Sequence, residues 1–217
     1  MKLDLYQIDA FTDKVFGGNP ACVVPLNKWL EDEKLLNIAQ ENAVSETAFF
    51  VQNDNFFHLR WFTPDIEMDL CGHATLAAAY VIKKHLKFPK DAISFNTLSG
   101  KLNVHVNHEN FTLDFPSRKP VISELPLIIK KSLSIQPKKI LKSRDYFLVY
   151  NNQKEIEEIQ IDRSIIDQIN LDPGGVIITA EGKDCDFVSR WFAPQSTIFE
   201  DPVTGSAHCS LIPYWSR

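Results

Sequence analysis

"RWFTPDIEMDLCGHATLAAAYV" (60–81) and "RWFAPQSTIFEDPVTGSAHCSLIPYW" (190–215) decide the fold, because they are two copies of one pattern. Each begins Arg-Trp-Phe-x-Pro. Each then runs through an acidic stretch to a glycine, Gly72 or Gly205, and on into small residues and an apolar, aromatic-ended segment. The chain has four tryptophans in 217 residues, so two matching Arg-Trp-Phe triplets point to an internal duplication rather than to coincidence between two amphipathic strand-to-helix units. Two strand–turn–helix copies related by a pseudo-twofold axis would face each other across a cleft, each pointing a helix N-terminus inward. Such termini carry unsatisfied N–H groups and about half a positive charge, so a small carboxylate is the expected ligand. Gly72 and Gly205 would let it approach the backbone closely. Two of only eight glycines stand at these mouths, which makes their placement informative.

Around the two copies, local patterns predict further elements. Residues 2–11 and 21–26 read as strands around "VFGGNPA" (15–21). Residues 31–43 carry Leu35, Leu36, Ile38 and Ala39 at helical spacing, with acids at the start. Strands are expected at 46–52 and 57–62, and an almost wholly apolar, buried helix at 73–86. "ISFNT", "KLNVHV" and "FTLDF" follow as a meander. Pro116, Pro120 and Pro126 mark a boundary, which gives an N-terminal domain over 1–117 and a C-terminal domain over 118–217. In the second half, strands are expected near 145–151, 154–160, 175–179 and 186–192, with a helix near 162–169.

Composition narrows the function classes. Hydrophobic residues make up 44% and aromatics 11%, enough for a full core, and the length suits one large domain or two of about 100 residues. The net charge of −5, with no run of five like charges, gives no electrostatic case for nucleic acid or an anionic membrane. No stretch approaches the roughly 18 apolar residues of a membrane helix, and the alternating N-terminus lacks the apolar run of a signal peptide. Four cysteines in such a chain read as free thiols in a reducing compartment, hence a soluble, cytoplasmic protein. "PGGVIITAEG" (173–182) lacks the glycine spacing of a nucleotide-binding turn. Cys71, His73, His208 and Cys209 could in principle hold zinc. Adjacent His-Cys ligands are awkward, however, and no C-x-x-C or H-x-x-x-H spacing occurs, so no metal is expected. A cysteine hydrolase built on Cys71 lacks a local third group.

"MKLDLYQIDAFTDKVFGGNPACVV", "SETAFFV" and the two repeats together resemble the PhzF family, the phenazine-biosynthesis-like isomerases. The resemblance implies an α+β fold of the diaminopimelate-epimerase type. In it, two pseudo-symmetric domains each wrap a curved, mostly antiparallel sheet around a central helix, with the active site in the cleft between them. It implies a proton-shuttle reaction without metal or organic cofactor. The family's catalytic glutamate falls on Glu46 and the histidine of its Gly-His motif on His73. The aspartate and serine of its Asp-Pro-x-Thr-Gly-Ser motif fall on Asp201 and Ser206. In the phenazine enzyme the glutamate moves a proton on a dihydro-hydroxyanthranilate and shifts a double bond. Family members continue beyond the second central helix, whereas this chain stops at "LIPYWSR", so the second domain is expected to be C-terminally truncated. A homodimer is a further expectation.

Taken on their own, the same residues leave alternatives open. Glu46 beside Phe49 and Phe50 is either a partly desolvated carboxylate suited to carrying a proton or an edge-strand surface group. His73, in a first helical turn, is either a neutral donor or a packed core histidine. Asp201 suits a plain N-cap as well as catalysis. Aligning Gly72 with Gly205 sets Thr204 opposite Cys71, and a threonine hydroxyl is too weak an acid for a two-thiol racemase. Cys71 is therefore expected to line the cleft with Thr204, Gly72, Gly205, Gly18 and Asn19, the last two from "GGNP" (17–20). The rival functions are an epimerase or racemase of an amino-acid-like substrate and a non-catalytic binding module.

Overall fold

A computed structural model describes residues 2–14, 16–172 and 174–216. Met1, Val15, Pro173 and Arg217, which bound or interrupt several of the expected stretches, lie outside the described residues. The chain forms two compact units, 1–115 and 116–217.

The first unit contains β1 (Tyr6–Ala10), β2 (Asn19–Leu26), α1 (Asp32–Asn42), β3 (Glu46–Gln52), β4 (Phe57–Phe62), β5 (Glu67–Met68), α2 (Gly72–Tyr80), β6 (Ala92–Thr97), β7 (Gly100–Asn107) and β8 (Asn110–Asp114). They form one sheet in the order β1-β2-β3-β4-β6-β7-β8, with β5 attached to β4. The pairs β2–β3 and β4–β6 are parallel, and the other pairs named here are antiparallel. Helix α2 packs on β1, β2 and β3 and also on β8, at opposite ends of the strand order. A sheet that touches one helix from both ends must curl around it. The small side chains of α2, Ala74, Ala77, Ala78 and Ala79, are fully buried and let the strands approach. Helix α1 covers the other face of β2–β4 through Leu35 and Ala39 against Val24, Phe49 and Phe62. Strand β2 is thus buried along most of its length, whereas β7 alternates, with Leu102, Val104 and Val106 inward and His105 outward.

The second unit holds β9 (Val121–Ile122), α3 (Leu127–Ser132), β10 (Lys139–Lys142), β11 (Tyr146–Val149), α4 (Gln153–Glu158), α5 (Arg163–Ile166), β12 (Val176–Glu181), β13 (Phe187–Phe192), β14 (Glu200–Asp201) and α6 (His208–Trp215). Its sheet runs β14-β13-β12-β11-β10-β9, with β11–β12 parallel. Strand periodicity splits its residues between two cores. Phe147, Val149 and Ile177 face α6 through Leu211, and Leu148, Tyr150, Val176 and Ile178 pack with Ile129, Ile156 and Ile166 of α3–α5.

One expected element is corrected. Residues 154–160, expected as a strand, lie largely in helix α4. The Asn152 side chain accepts from the Glu155 N–H at 3.1 Å, and Glu155 Oε2 accepts from the Asn151 N–H at 2.9 Å. These capping bonds, with Ile156 and Ile159 at helical spacing, set a helix in place of the expected strand.

The duplicated sequence recurs as duplicated structure. Arg60, in β4, grips Glu67 of β5 with two hydrogen bonds of 2.7 Å. Arg190, in β13, grips Glu200 of β14 with bonds of 2.6 and 2.9 Å. Each guanidinium lies over the phenylalanine two residues on, Phe62 at 5.1 Å and Phe192 at 4.9 Å. Phe62 pairs with Glu67 and Phe192 with Glu200, and five residues beyond each glutamate stands the glycine that opens the helix. This register sets Cys71 against Thr204 and His73 against Ser206.

Candidate active site

In the first unit, three backbone features bring the candidate residues together. Strands β2 and β3 run parallel with Ala21 opposite Glu46, so Asn19 and Glu46 both stand at the N-terminal ends of adjacent strands. Helix α2 packs on β2, which brings its first residues to the same place. Cys71 is the N-cap of α2, with extended φ and ψ of −137° and 119°, and it makes no side-chain capping bond. The first-turn amides of α2 are therefore not consumed by a cap of the usual kind.

His73 is at the centre. Its Nε2 lies 3.3 Å from Glu46 Oε2. Its Nδ1 lies 3.3 Å from Asn19 Nδ2 and 3.5 Å from Cys71 Sγ. Nδ1 thus faces the Asn19 amide and the Cys71 thiol, and Nε2 faces the glutamate. His73 is 1% exposed, and burial lowers its pKa to about 4, with the Pro20 carbonyl opposing part of that shift. The contact with Glu46 is consequently not an ion pair at neutral pH. It joins a neutral imidazole to a carboxylate whose side chain is 12% exposed.

The lowered pKa fixes a pH dependence. The unfolded histidine titrates near 6.5, and the folded one near 4. Above pH 6.5 both states are neutral and the residue adds no slope. Between 6.5 and 4 the unfolded chain takes up a proton that the folded chain refuses, so stability falls with acidification by about 1.4 kcal/mol per pH unit, at most about 3 kcal/mol in total. Urea unfolding measured from pH 7 to pH 4 is expected to show this loss, and His73→Asn to lack that component.

Gly18, expected to line the cleft, is also required by the backbone itself. Its φ is +63°, and a Cβ added there would lie 2.0 Å from the Ala10 carbonyl oxygen. The close approach it permits is to the chain's own β1, whose end pairs with Asn19. Gly18→Ala is expected to cost about 2 kcal/mol or more, read as a lowered urea midpoint with an unchanged slope.

The second unit places its candidates on the equivalent turn. Thr204 precedes the short 3-10 turn Gly205–Ala207 that leads into α6, and like Cys71 it makes no side-chain capping bond. Its hydroxyl donates to Asp201 Oδ2 at 2.7 Å instead. Ser206 is buried, and its hydroxyl accepts from Arg144 Nη2 at 3.2 Å. Arg144 Nε is 3.3 Å from Asp145 Oδ2. Asp145, 2% exposed, also accepts from the Gly175 N–H at 2.8 Å and Trp191 Nε1 at 3.1 Å. Sequence reasoning passed over Arg144 and Asp145. The signal that could have found them is a charged pair set directly before the apolar strand "YFLV", since charges at such a place must be paired.

A family model described as phenazine biosynthesis-like protein matches residues 8–217. The chain belongs to the phenazine biosynthesis-like, or PhzF, family. An uncharacterized isomerase of Pseudomonas aeruginosa is 45% identical over 217 residues, which span all of this chain and 83% of that protein. The human phenazine biosynthesis-like domain-containing protein is 36% identical and is covered over 84% of its length. A crystal structure of a PhzF-family protein from Enterococcus faecalis superimposes with a TM-score of 0.88 at 43% identity, over all of this chain and 83% of that one. A hydroxyproline epimerase from Agrobacterium vitis shares the fold alone, at 8% identity and a TM-score of 0.59. The α+β, epimerase-like architecture of this PhzF-family chain thus stands on its relatives as well as its own strand order. Among the described residues no helix is long and apolar enough to cross a membrane.

Proposed function

We propose that this PhzF-family protein is a cofactor-independent isomerase that moves a proton on a small, carboxylate-bearing substrate, with Glu46 as general acid and base. The observation that carries this is the Glu46–His73 pair beside a helix mouth with no side-chain cap. Glu46 takes a proton from one substrate carbon and returns it to another. The neutral His73, whose Nε2 stands 3.3 Å from the carboxylate, packs against it and limits where it can swing. Backbone N–H groups at Gly72 and His73 supply donors for an anionic substrate group. Asp201, Ser206, Thr204 and Gly205, on the equivalent turn of the second unit, are proposed as further polar groups for binding. That relatives of 45% and 40% identity are named isomerases favours this class over a binding module.

Incubation in heavy water with a panel of unsaturated and hydroxylated cyclic amino acids tests the proposal. Deuterium is expected to enter a substrate carbon while the double bond migrates. Exchange with inversion of a stereocentre and no bond migration would assign an epimerase instead. Ligand binding without any exchange would assign a binding module.

A further inference from the structure

We propose that Glu46, Cys71 and His73 form a site for a thiophilic divalent cation, Zn2+ or Cd2+, whose occupation silences proton transfer. The binding half of this proposal stands on donor geometry alone, and the silencing half rests on Glu46 being the shuttle.

One ligand atom from each of the three residues lies within 4.8 Å of the other two. Cys71 Sγ is 3.5 Å from His73 Nδ1, and Glu46 Oε2 is 3.3 Å from His73 Nε2. In a tetrahedral zinc site, metal–sulfur bonds of about 2.3 Å and metal–nitrogen or metal–oxygen bonds of about 2.0–2.1 Å put neighbouring ligand atoms about 3.3–3.7 Å apart. Those two distances run to opposite nitrogens of the ring, so an ion held at Nε2 beside Glu46 draws the Cys71 thiolate, within 4.8 Å, around to the same side by a side-chain rotation. The sequence drew attention to Cys71 and His73 as metal donors together with His208 and Cys209. The structure supplies a different third donor, Glu46.

Three further features favour a cation. His73 Nε2 is buried and makes no hydrogen bond of good geometry among the described residues, although it points toward Glu46 Oε2 at 3.3 Å. A buried ring nitrogen without a strong partner is a ready ligand. The charge balance is also favourable. A dication with one thiolate and one carboxylate is neutral overall, which suits a site where Cys71 is 4% exposed and His73 is 1% exposed. The more open Glu46 side leaves a fourth position for water or substrate. Finally, one soft sulfur ligand selects zinc or cadmium over magnesium or calcium.

The protons balance. Cys71 gives up its S–H proton to the buffer as the metal–sulfur bond forms. The imidazole stays neutral with its proton on Nδ1, which leaves Nε2 for the ion. A half-turn of the Asn19 amide then presents its oxygen, rather than its nitrogen, to Nδ1–H. A buried amide able to serve either tautomer is the outer-shell partner such a ligand requires. Bound to the ion, the Glu46 carboxylate is no longer a free base.

The test uses the full chain, stripped of metal and titrated with Cd2+ while the thiolate-to-cadmium absorption band is recorded. One equivalent is expected to saturate the band. Zn2+ titrated calorimetrically in two buffers should release about one proton per ion. Cys71→Ser should abolish the band, and Glu46→Gln should weaken binding at least about 10-fold. Cys185→Ser, which removes the exposed thiol, should leave the band intact. No band, or a band retained in Cys71→Ser and lost in Cys185→Ser, overturns the site. If Cys71→Ser does not fold, Glu46→Gln decides the matter: unchanged affinity there overturns it. A normal band together with undiminished deuterium exchange at saturating Zn2+ would keep the cation site, overturn silencing, and count against Glu46 as the shuttle.

Discussion

Glu46→Gln is expected to reduce deuterium exchange into substrate by about 10²–10⁴-fold while leaving the protein folded. The substitution keeps the side chain's size and an amide group facing His73 Nε2, so packing at the start of β3 is preserved. What it removes is the ability to hold a proton. The expected loss therefore falls on kcat, with KM nearly unchanged, because a group that acts only during proton transfer contributes little to ground-state binding. Glu46→Asp separates chemistry from position. It retains the carboxylate but draws it back from His73 by about one bond length, and a misplacement of roughly 1 Å can cost about 10²-fold. The expected order is native, then Asp, then Gln. Exchange in Glu46→Gln within about 10-fold of the native rate would remove Glu46 as the shuttle and turn attention to His73 and Cys71.

Much of the fold was legible because it is encoded locally and encoded twice. The Arg-Trp-Phe triplets place an arginine and a buried aromatic ahead of a helix-opening glycine, 12 residues on in one copy and 15 in the other. In both units the pattern resolves into the same two-pronged arginine–glutamate grip, Arg60–Glu67 and Arg190–Glu200. Strands at 46–52 and 57–62 were legible from apolar, β-branched and aromatic runs bounded by polar turns. Residues 153–158 were misread as a strand, although Ile156 and Ile159 stand at helical spacing and Asn152 and Glu155 carry a capping signal.

The sites were legible only in part, for a related reason. Asn19 reaches His73 across 54 residues, and Arg144 reaches Ser206 across 62. No local pattern announces contacts made by strand pairing and helix docking. Cys71 and His73 are two apart, a spacing that does not converge within a helix. They meet because Cys71 is the N-cap, in extended conformation, and its side chain is not part of the helical array. The expectation that Cys71 merely lines the site thus understated it, since the thiol touches the imidazole. Comparison of the repeats showed only that Thr204 is no second thiol, and that conclusion bears on a two-thiol mechanism rather than on what Cys71 touches.

Asp145→Ala is expected to be among the most destabilising single changes in the second unit, at about 3–5 kcal/mol. Asp145 receives three donors from three separate places: Arg144 beside it, the Gly175 N–H at the entry to β12, and the indole of Trp191 in β13. Alanine would remove one acceptor from a guanidinium that is 12% exposed and that keeps Ser206, and would leave the Gly175 and Trp191 N–H groups without theirs, at about 1–3 kcal/mol for each buried donor left unsatisfied. Gly175 cannot move to compensate, because even a Cβ there would stand 2.5 Å from the Phe192 carbonyl and 2.6 Å from the Trp191 ring. Asp145→Asn keeps an acceptor for Gly175 and Trp191 and loses only the charge facing Arg144, so a smaller cost of about 1–2 kcal/mol is expected. Urea unfolding followed by tryptophan fluorescence measures both, and a loss below about 1 kcal/mol for Asp145→Ala would contradict the account. Ser206 follows from the same chain of contacts. Its hydroxyl is held by Arg144, and Arg144 by Asp145, so the buried carboxylate that stabilises this unit also sets the direction of the serine proposed to meet substrate.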